Sequence, residues 1–209
     1  MSKINVDTWE PESGTAATLM ATGDTVTVPS GAELDIASGA TLDVNGTIDV
    51  TGATLTGFPG FSSYAIIEEQ TAATVNAGTF TSGAWRTRDL NTEVFDPDSI
   101  VTISSGQFTL GAGNYLIRWS ASAFSVNSHK TRLYDVTGTA SIGVGSSEWS
   151  GSGAITNSST GSLRITPSGS NVYSIEHQCS LTHSLQGLGV PAGFSEREVF
   201  AHVEILKEA

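Results

Sequence analysis

The chain has 209 residues, an apolar fraction of 38% and a formal net charge of −12 at pH 7. This composition is globular, and the length is enough for one full-sized domain and a smaller element. An acidic surface repels phosphate backbones and anionic lipids, and no apolar stretch approaches the roughly 20 residues of a membrane helix. We therefore expect no nucleic-acid partner and no membrane insertion. The 23 glycines, with many Ser and Thr residues, favour strands joined by tight turns.

Residues 1–23 open the chain without a clear hydrophobic period. Trp9, Pro11 and Gly14 interrupt the segment, so it is predicted to be an arm rather than a packed unit. Its first residues lack the basic start and the apolar run of a secretory signal. The sequence therefore predicts synthesis in a cytoplasm.

Residues 24–57 contain a short repeat in which two apolar residues stand two positions apart, and a small or polar turn follows each pair. The octads SGAELDIA (30–37) and SGATLDVN (38–45) nearly duplicate one another. One such ribbon cannot close a core, so each unit must pack against neighbouring repeats or against other chains. Because about four units make a single-chain solenoid marginal, the pattern favours three chains intertwined as a trimeric β-helix or prism.

The apolar pairs form the predicted core of this β-stalk. A flexible Gly/Ser/Thr-rich linker is the alternative, although a linker needs no apolar pairs at fixed spacing. The predicted core residues are Val26, Val28, Leu34, Ile36, Leu42, Val44, Ile48 and Val50.

A Pro-Gly step between aromatic residues ends the repeat and predicts a linker over residues 58–63. From residue 64 to residue 209 the pattern changes to longer strands joined by Gly-rich turns. Roughly eight to ten strands in a segment of this length are typical of a jelly-roll sandwich. The predicted fold class is all-β, a short repetitive β-stalk followed by a jelly-roll β-sandwich head. Predicted strands cover residues 64–69, 79–80 leading to 85–90, 100–104, 107–110, 113–123, 130–135, 140–145, 162–166, 171–178 and 198–207.

Alternation in two predicted strands indicates which side chains are buried. One inward face consists of Tyr115, Ile117, Trp119 and Ala121. In the last strand, one face carries Val199, Ala201, Val203 and Ile205, and the opposite face carries Phe200, His202, Glu204 and Leu206. Since both faces of the last strand are partly apolar, a subunit interface is the predicted cover of the second one.

Catalytic and metal-binding motifs are missing from the sequence. There is no GxSxG motif, no Gly-rich phosphate loop and no evident pair of isolated acids, so we expect no enzymatic activity and no cofactor.

Cys179 is expected to be a small buried hydrophobe. Asp96 and Asp98 are candidate cation ligands, but one acidic turn lacks the six or more oxygens of a calcium site. Four arginines of the head are interpreted as partly exposed cations, as partners in interchain salt bridges, or as residues that contact an acidic neighbour: Arg86, Arg88, Arg118 and Arg132.

Several ordered segments of the head resemble a C1q/TNF-like domain of phage proteins. They are residues 85–93 (WRTRDLNTE), 108–117, 129–135, 145–150, 175–179, 187–190 and 198–205. The resemblance extends from about residue 64 to the end and implies a ten-stranded jelly roll that forms trimers. Residues 3–15 are similar to the opening of phage fibre proteins, which implies a particle-attachment arm that contacts the virion through Ile4, Val6 and Trp9.

The resemblance implies a bacteriophage virion structural protein of the tail-fibre or head-decoration type. As such it would be a homotrimer on the virion surface, bound to capsid or tail proteins. In the first hypothesis it is a fibre or spike whose head binds a host-surface glycan, with Trp149 in the Ser/Gly-rich loop 146–160 as a stacking platform. The second hypothesis is a capsid decoration (cement) protein, which the short stalk favours. A soluble C1q-like lectin is a weaker alternative.

The stalk hypothesis predicts that assembly depends on the apolar pairs. Replacing Leu34 and Leu42 together by Asp would bury two unpaired charges in each chain, which is strongly unfavourable. We expect sedimentation of the Leu34→Asp, Leu42→Asp variant to show monomers where the unchanged chain gives trimers. The outward pair Asp35→Asn and Asp43→Asn is the matched control and should leave the trimer intact. A trimer that persists in the leucine variant would assign assembly to the head instead.

Overall fold

The computed structural model describes residues 60–151 and 153–208, together with Val28 and Ser30. The arm and almost all of the stalk lie outside the described residues, so their predicted roles and boundaries stay predictions. This applies to Ile4, Val6, Trp9, Val26, Leu34, Ile36, Leu42, Val44, Ile48 and Val50. Val28 is described and is 43% exposed in the single chain. Within the described ranges, no helix is long and apolar enough to cross a membrane.

All regular structure in the described part of the chain is β-strand, as the composition predicts. The strands are β1 (Phe61–Thr71), β2 (Arg86–Thr87), β3 (Thr92–Phe95), β4 (Val101–Ser104), β5 (Gln107–Leu110), β6 (Tyr115–Phe124), β7 (Ser128–Asp135), β8 (Ala140–Trp149), β9 (Thr156–Ile165), β10 (Asn171–Cys179) and β11 (Glu198–Glu208).

Two antiparallel sheets form a sandwich. The first sheet has the strand order β3-β1-β11-β6-β9, and the second has the order β4-β5-β10-β7-β8, with β2 paired to β10. Without the short strands β2, β3 and β4, the two sheets contain four strands each, in the orders β1-β11-β6-β9 and β5-β10-β7-β8. Eight strands connected in this way form two Greek keys, which is the topology of a jelly roll. The predicted jelly-roll head is therefore confirmed.

The core lies between the two sheets and is made by the alternating inward residues of the long strands. Tyr115, Ile117, Trp119 and Ala121 are all buried, as their alternation predicts. Ala201, Val203 and Ile205 of β11 are buried as well. Val199 is exposed and Phe200 buried, contrary to the simple alternation, because β11 has an irregular register opposite Glu69 and Gln70 that leaves Phe200 without a partner residue on β1. Such a bulge changes the phase of a strand.

Three local predictions need correction. The expected strand over residues 85–90 contracts to the two residues of β2, because the chain turns inward after it and buries Arg88. The short strand β3 was not predicted, since it is an exposed edge strand without alternation. The expected loop 146–160 is mostly the end of β8 and the start of β9, which lie in different sheets, with only residues 150–155 outside the strands.

The strand pairing gives the sandwich two distinct ends. Phe61 at the start of β1 pairs with Glu208 at the end of β11, whereas Thr71 pairs with Glu198. The long strands, at about 3.3 Å per residue, separate these ends by roughly 30 Å. We call the end that contains Gly60 the N-terminal end. The opposite end, where β8 and β10 finish at Trp149 and Cys179, is called the far end.

Gly161 lies opposite Trp119 in the pairing of β6 with β9, and a Cβ atom at this position would overlap the indole ring. Overpacking of this kind costs about 1–3 kcal/mol. We expect Gly161→Ala to lower the free energy of unfolding by that amount in urea denaturation. Gly169→Ala is the control, because a Cβ at Gly169 meets nothing within 4 Å. Equal stability of the two variants would contradict this packing.

Candidate functional site

A cleft of about 840 Å3 opens at the far end on the outer face of the second sheet. Three neighbouring strands, β10, β7 and β8, provide its floor. The register places Gln178 of β10 beside Lys130 of β7, and Lys130 beside Ser147 of β8. Because all three residues point away from the core, the floor is polar and carries one cation.

Two tryptophans line the sides of this floor. Trp149 is the last residue of β8 and is 61% exposed, while Trp85 precedes β2 on the other side of β10. The Arg132 guanidinium lies 4.3 Å from the centre of the Trp85 ring and donates to Glu176 at 2.7 Å. Trp85 is thus held by a paired cation, and Trp149 keeps a free aromatic face.

Behind the cleft, Arg88 is completely buried. Its Nε donates to the Glu69 carboxylate at 2.6 Å. Its other nitrogens donate to the carbonyls of Ser122 and Leu188, both at 3.0 Å, and of Phe200 at 3.3 Å. The prediction of a partly exposed or interchain Arg88 is therefore wrong. A buried guanidinium is tolerated here because one carboxylate and three carbonyls satisfy its donors.

A chain of hydrogen bonds leads from Arg88 to the cleft. Arg88 lies 3.5 Å from His177 Nδ1, His177 Nε2 lies 2.9 Å from His129 Nδ1, and His129 Nε2 lies 2.7 Å from Asn157 Oδ1. Asn157 donates in turn to the Glu148 carboxylate at 3.4 Å. Since the arginine can only donate, every bond is satisfied when both histidines are neutral and carry their proton on Nε2.

Burial sets the protonation of this chain. It lowers the pKa of His177 well below the ordinary value, and the nearby Arg88 charge adds to the effect. Burial also lowers the pKa of His129. It raises the pKa of the Glu69 carboxyl, and the Arg88 guanidinium offsets part of that rise. Burial raises the pKa of Cys179, at the inner edge of the cleft, to about 11, so this thiol is a protonated hydrophobe, as predicted.

The carboxylates of the acidic turn that was considered as a cation site accept hydrogen bonds from the protein itself. The Asp96 carboxylate accepts from the backbone amides of Ile100 and Val101, both at 2.9 Å, and Asp98 accepts from the Ser63 hydroxyl at 2.6 Å. In residues 60–151 and 153–208, no group of three His, Cys, Asp or Glu side chains could hold a metal ion. The turn is a structural cap.

A second candidate surface is the outer face of the first sheet near the N-terminal end. Tyr64 of β1 stacks on Phe95 of β3 with 4.7 Å between ring centres. In the register, Tyr64 is followed by Leu206 of β11 and then by Leu116 of β6, and Ile66 lies two residues along β1. An apolar patch of this kind is typical of a surface covered by another molecule.

No family model matches the chain, and no curated protein matches its sequence. The solved structures similar to it include the following three. The PRD1 vertex protein P5 is 15% identical over 71% of this chain and 98% of its own, with a TM-score of 0.48. The globular domain of zebrafish complement 1qA protein is 16% identical over 70% and 94%, with a TM-score of 0.41. Eiger TNF from S. frugiperda is 15% identical over 72% and 94%, with a TM-score of 0.49. The assignment as a jelly roll rests on the strand order itself.

The buried histidine pair predicts a loss of stability in mild acid. Below about pH 6.5 the unfolded chain binds protons that native His129 and His177 do not bind, so the free energy of unfolding falls as the pH falls. We expect a loss of about 1–3 kcal/mol between pH 7.5 and 5.5 in urea denaturation. His129→Gln keeps a polar amide in the chain of hydrogen bonds but removes one titrating group. It should reduce the loss of stability between pH 7.5 and 5.5 by about half. A constant stability of the unchanged protein over this interval would contradict the neutral pair.

Proposed function

We propose that this protein is a homotrimeric phage virion appendage, a fibre or spike that is anchored by its N-terminal arm and acts by binding rather than by catalysis. In this role the jelly-roll head presents the far-end cleft to the host surface. The observation that supports this most directly is the position of the cleft. The described part of the head begins at Gly60, and the cleft lies at the opposite end of strands about 30 Å long. A head held from its N-terminal side therefore projects the cleft outward.

The composition of the cleft supports a role in recognition. Surface tryptophans are usually covered, and one with an open face beside polar side chains suits a ligand that has both apolar and hydroxylated surfaces. The hydrogen bond from Asn157 to the Trp149 carbonyl, at 3.3 Å, fixes the end of β8. The cleft is thus preformed, which lowers the entropic cost of binding.

The apolar face around Tyr64, Phe95 and Leu206 supports assembly with copies of the same chain. Its Tyr64 lies on β1, the first strand of the head, which begins at Phe61 and follows the stalk segment and the predicted linker in sequence. Three chains associated through the stalk repeats would bring three copies of this face together. Toward the far end the same face changes to polar pairs, Glu68 with His202 at 2.8 Å and Arg118 with Glu204 at 3.8 Å, which suit solvent or a polar interface rim.

Capsid decoration is the second candidate, and the shortness of the stalk segment favours it. The two candidates differ in where and how often the protein occurs on the particle. Quantitative mass spectrometry of purified virions distinguishes them. A copy number that is a small multiple of three supports an appendage, and hundreds of copies support a decoration protein that projects the same head.

Binding to host cells tests the recognition role. We expect the purified full-length protein to bind cells that adsorb the phage and to compete with adsorption. Trp149→Ala should weaken this binding by about tenfold or more, the usual effect of losing a central aromatic contact. Phe194→Ala is the matched control, because Phe194 is 75% exposed and does not line the cleft. Unchanged cell binding by the Trp149 variant would remove the cleft from the proposed function.

A further inference from the structure

We infer that the far-end cleft binds an acidic saccharide, whose carboxylate pairs with Lys130 and whose sugar ring stacks on Trp149. This inference rests on the proposed function, because it names the ligand class of the same cleft. Its starting point is the contrast between the charge of the whole protein and the charge of this surface.

The chain carries 21 acidic residues and only 9 Lys and Arg residues. Most arginines of the head are matched: Arg88 pairs with Glu69, Arg118 with Glu204, Arg132 with Glu176 and Arg164 with Glu208. Lys130 forms no ion pair with any residue that the structure describes, and the same holds for Arg86, Arg197 and Lys207. Among these four cations, Lys130 is the one that lines the cleft. A cation that is left unpaired in so acidic a protein, on the floor of a cleft, is available for an anionic ligand.

The surroundings of Lys130 fit a sugar acid better than a simple anion. Gln178 and Ser147 are its direct cross-strand neighbours, and Trp149 is a diagonal neighbour on the same face. Direct and diagonal neighbours in a sheet are separated by about 5 and 7–8 Å, which matches the width of one pyranose ring. A ring stacked on Trp149 thus places a carboxylate at Lys130 and hydroxyl groups at Gln178 and Ser147.

Glu148 determines the orientation of such a ligand. It lines the side of the cleft at β8, where Asn157 holds its carboxylate. Like charges repel, so an acidic group avoids this side and is directed toward Lys130 and β10. On that side, Arg86 donates to the Thr81 carbonyl at 3.3 Å and adds a second positive charge near the cleft. The asymmetry of charge selects one orientation of the ligand.

Matched pairs of acidic and neutral saccharides test the inference. Isothermal titration of the full-length protein would use trigalacturonate with its methyl ester, and sialyllactose with lactose. We expect at least one acidic member to bind about tenfold or more tightly than its neutral counterpart, as for a charge-assisted hydrogen bond. Lys130→Gln should abolish this preference and leave the weaker binding of the neutral form unchanged. Trp149→Ala should weaken both forms.

Lys207→Gln is the matched control, because Lys207 lies at the N-terminal end near Tyr115 and should not alter the preference. The inference is overturned if neither acidic saccharide binds, if acidic and neutral forms bind equally, or if Lys130→Gln behaves like Lys207→Gln. These failures differ from failure of the proposed function. Binding to host cells without binding of an acidic saccharide would retain the appendage role and reject the ligand class, whereas the opposite result would reject the role and retain the ligand.

Discussion

The organisation of the far end depends on the burial of one positive charge. Removing a guanidinium from water is costly unless its donors are satisfied, and Arg88 meets this condition through groups from several separate parts of the chain. Glu69 comes from β1, two carbonyls come from β6 and β11, and the Leu188 carbonyl comes from the segment between β10 and β11. Because the Arg88 backbone N–H donates to the Ile175 carbonyl of β10 in the second sheet at 2.8 Å, the residue connects both sheets and a loop in one arrangement. Loss of the Glu69 carboxylate would leave the buried charge of Arg88 uncompensated, at a cost of roughly 3–5 kcal/mol.

The same constraint extends to the surface through the histidines. Because the Arg88 guanidinium donates a hydrogen bond to His177 Nδ1, the proton of His177 must lie on Nε2. His177 Nε2 then donates to His129 Nδ1, so the proton of His129 also lies on Nε2. The last donor of the chain, Asn157, holds both the Glu148 carboxylate and the Trp149 carbonyl. The wall of the cleft is thus positioned by a directed set of bonds that begins in the core. Buried polar networks of this kind specify a single arrangement when every member is satisfied.

The strands that sequence reasoning identified are those whose side chains alternate. β6, β10 and β11 have apolar residues on the inward face, and their predicted bounds differ from the observed ones by at most two residues. The adjoining ends of β8 and β9 were missed because Ser and Gly fill many of their positions. There, Gly161 makes room for the Trp119 ring, and the Ser159 hydroxyl bonds to Thr131 at 2.8 Å. Such strands are specified by the space and the donors that other strands offer, which a local pattern does not contain.

Predicting the cleft from sequence failed for a related reason. Trp149 was identified because a large aromatic residue in a Ser/Gly-rich segment is unusual, whereas Trp85, Lys130 and Gln178 join it only through the strand order β2-β10-β7-β8. Residues on or next to neighbouring strands, such as Trp85 and Gln178, are far apart in sequence, so a local sequence pattern does not show that they lie together.

The strand order also separates the two candidate surfaces. The apolar patch around Tyr64 lies on the first sheet near the N-terminal end, and the cleft lies on the second sheet at the far end. Since they share no residue and face opposite directions, sequence change in the cleft can alter the ligand without disturbing the surface proposed for assembly. The network around Arg88 limits such change, because His129 belongs to it and lines the cleft, and because Asn157 holds the Glu148 carboxylate and the Trp149 carbonyl. Substitutions at Lys130, Gln178 or Trp149 avoid this network, so these three positions are where recognition can diverge at the smallest cost in stability.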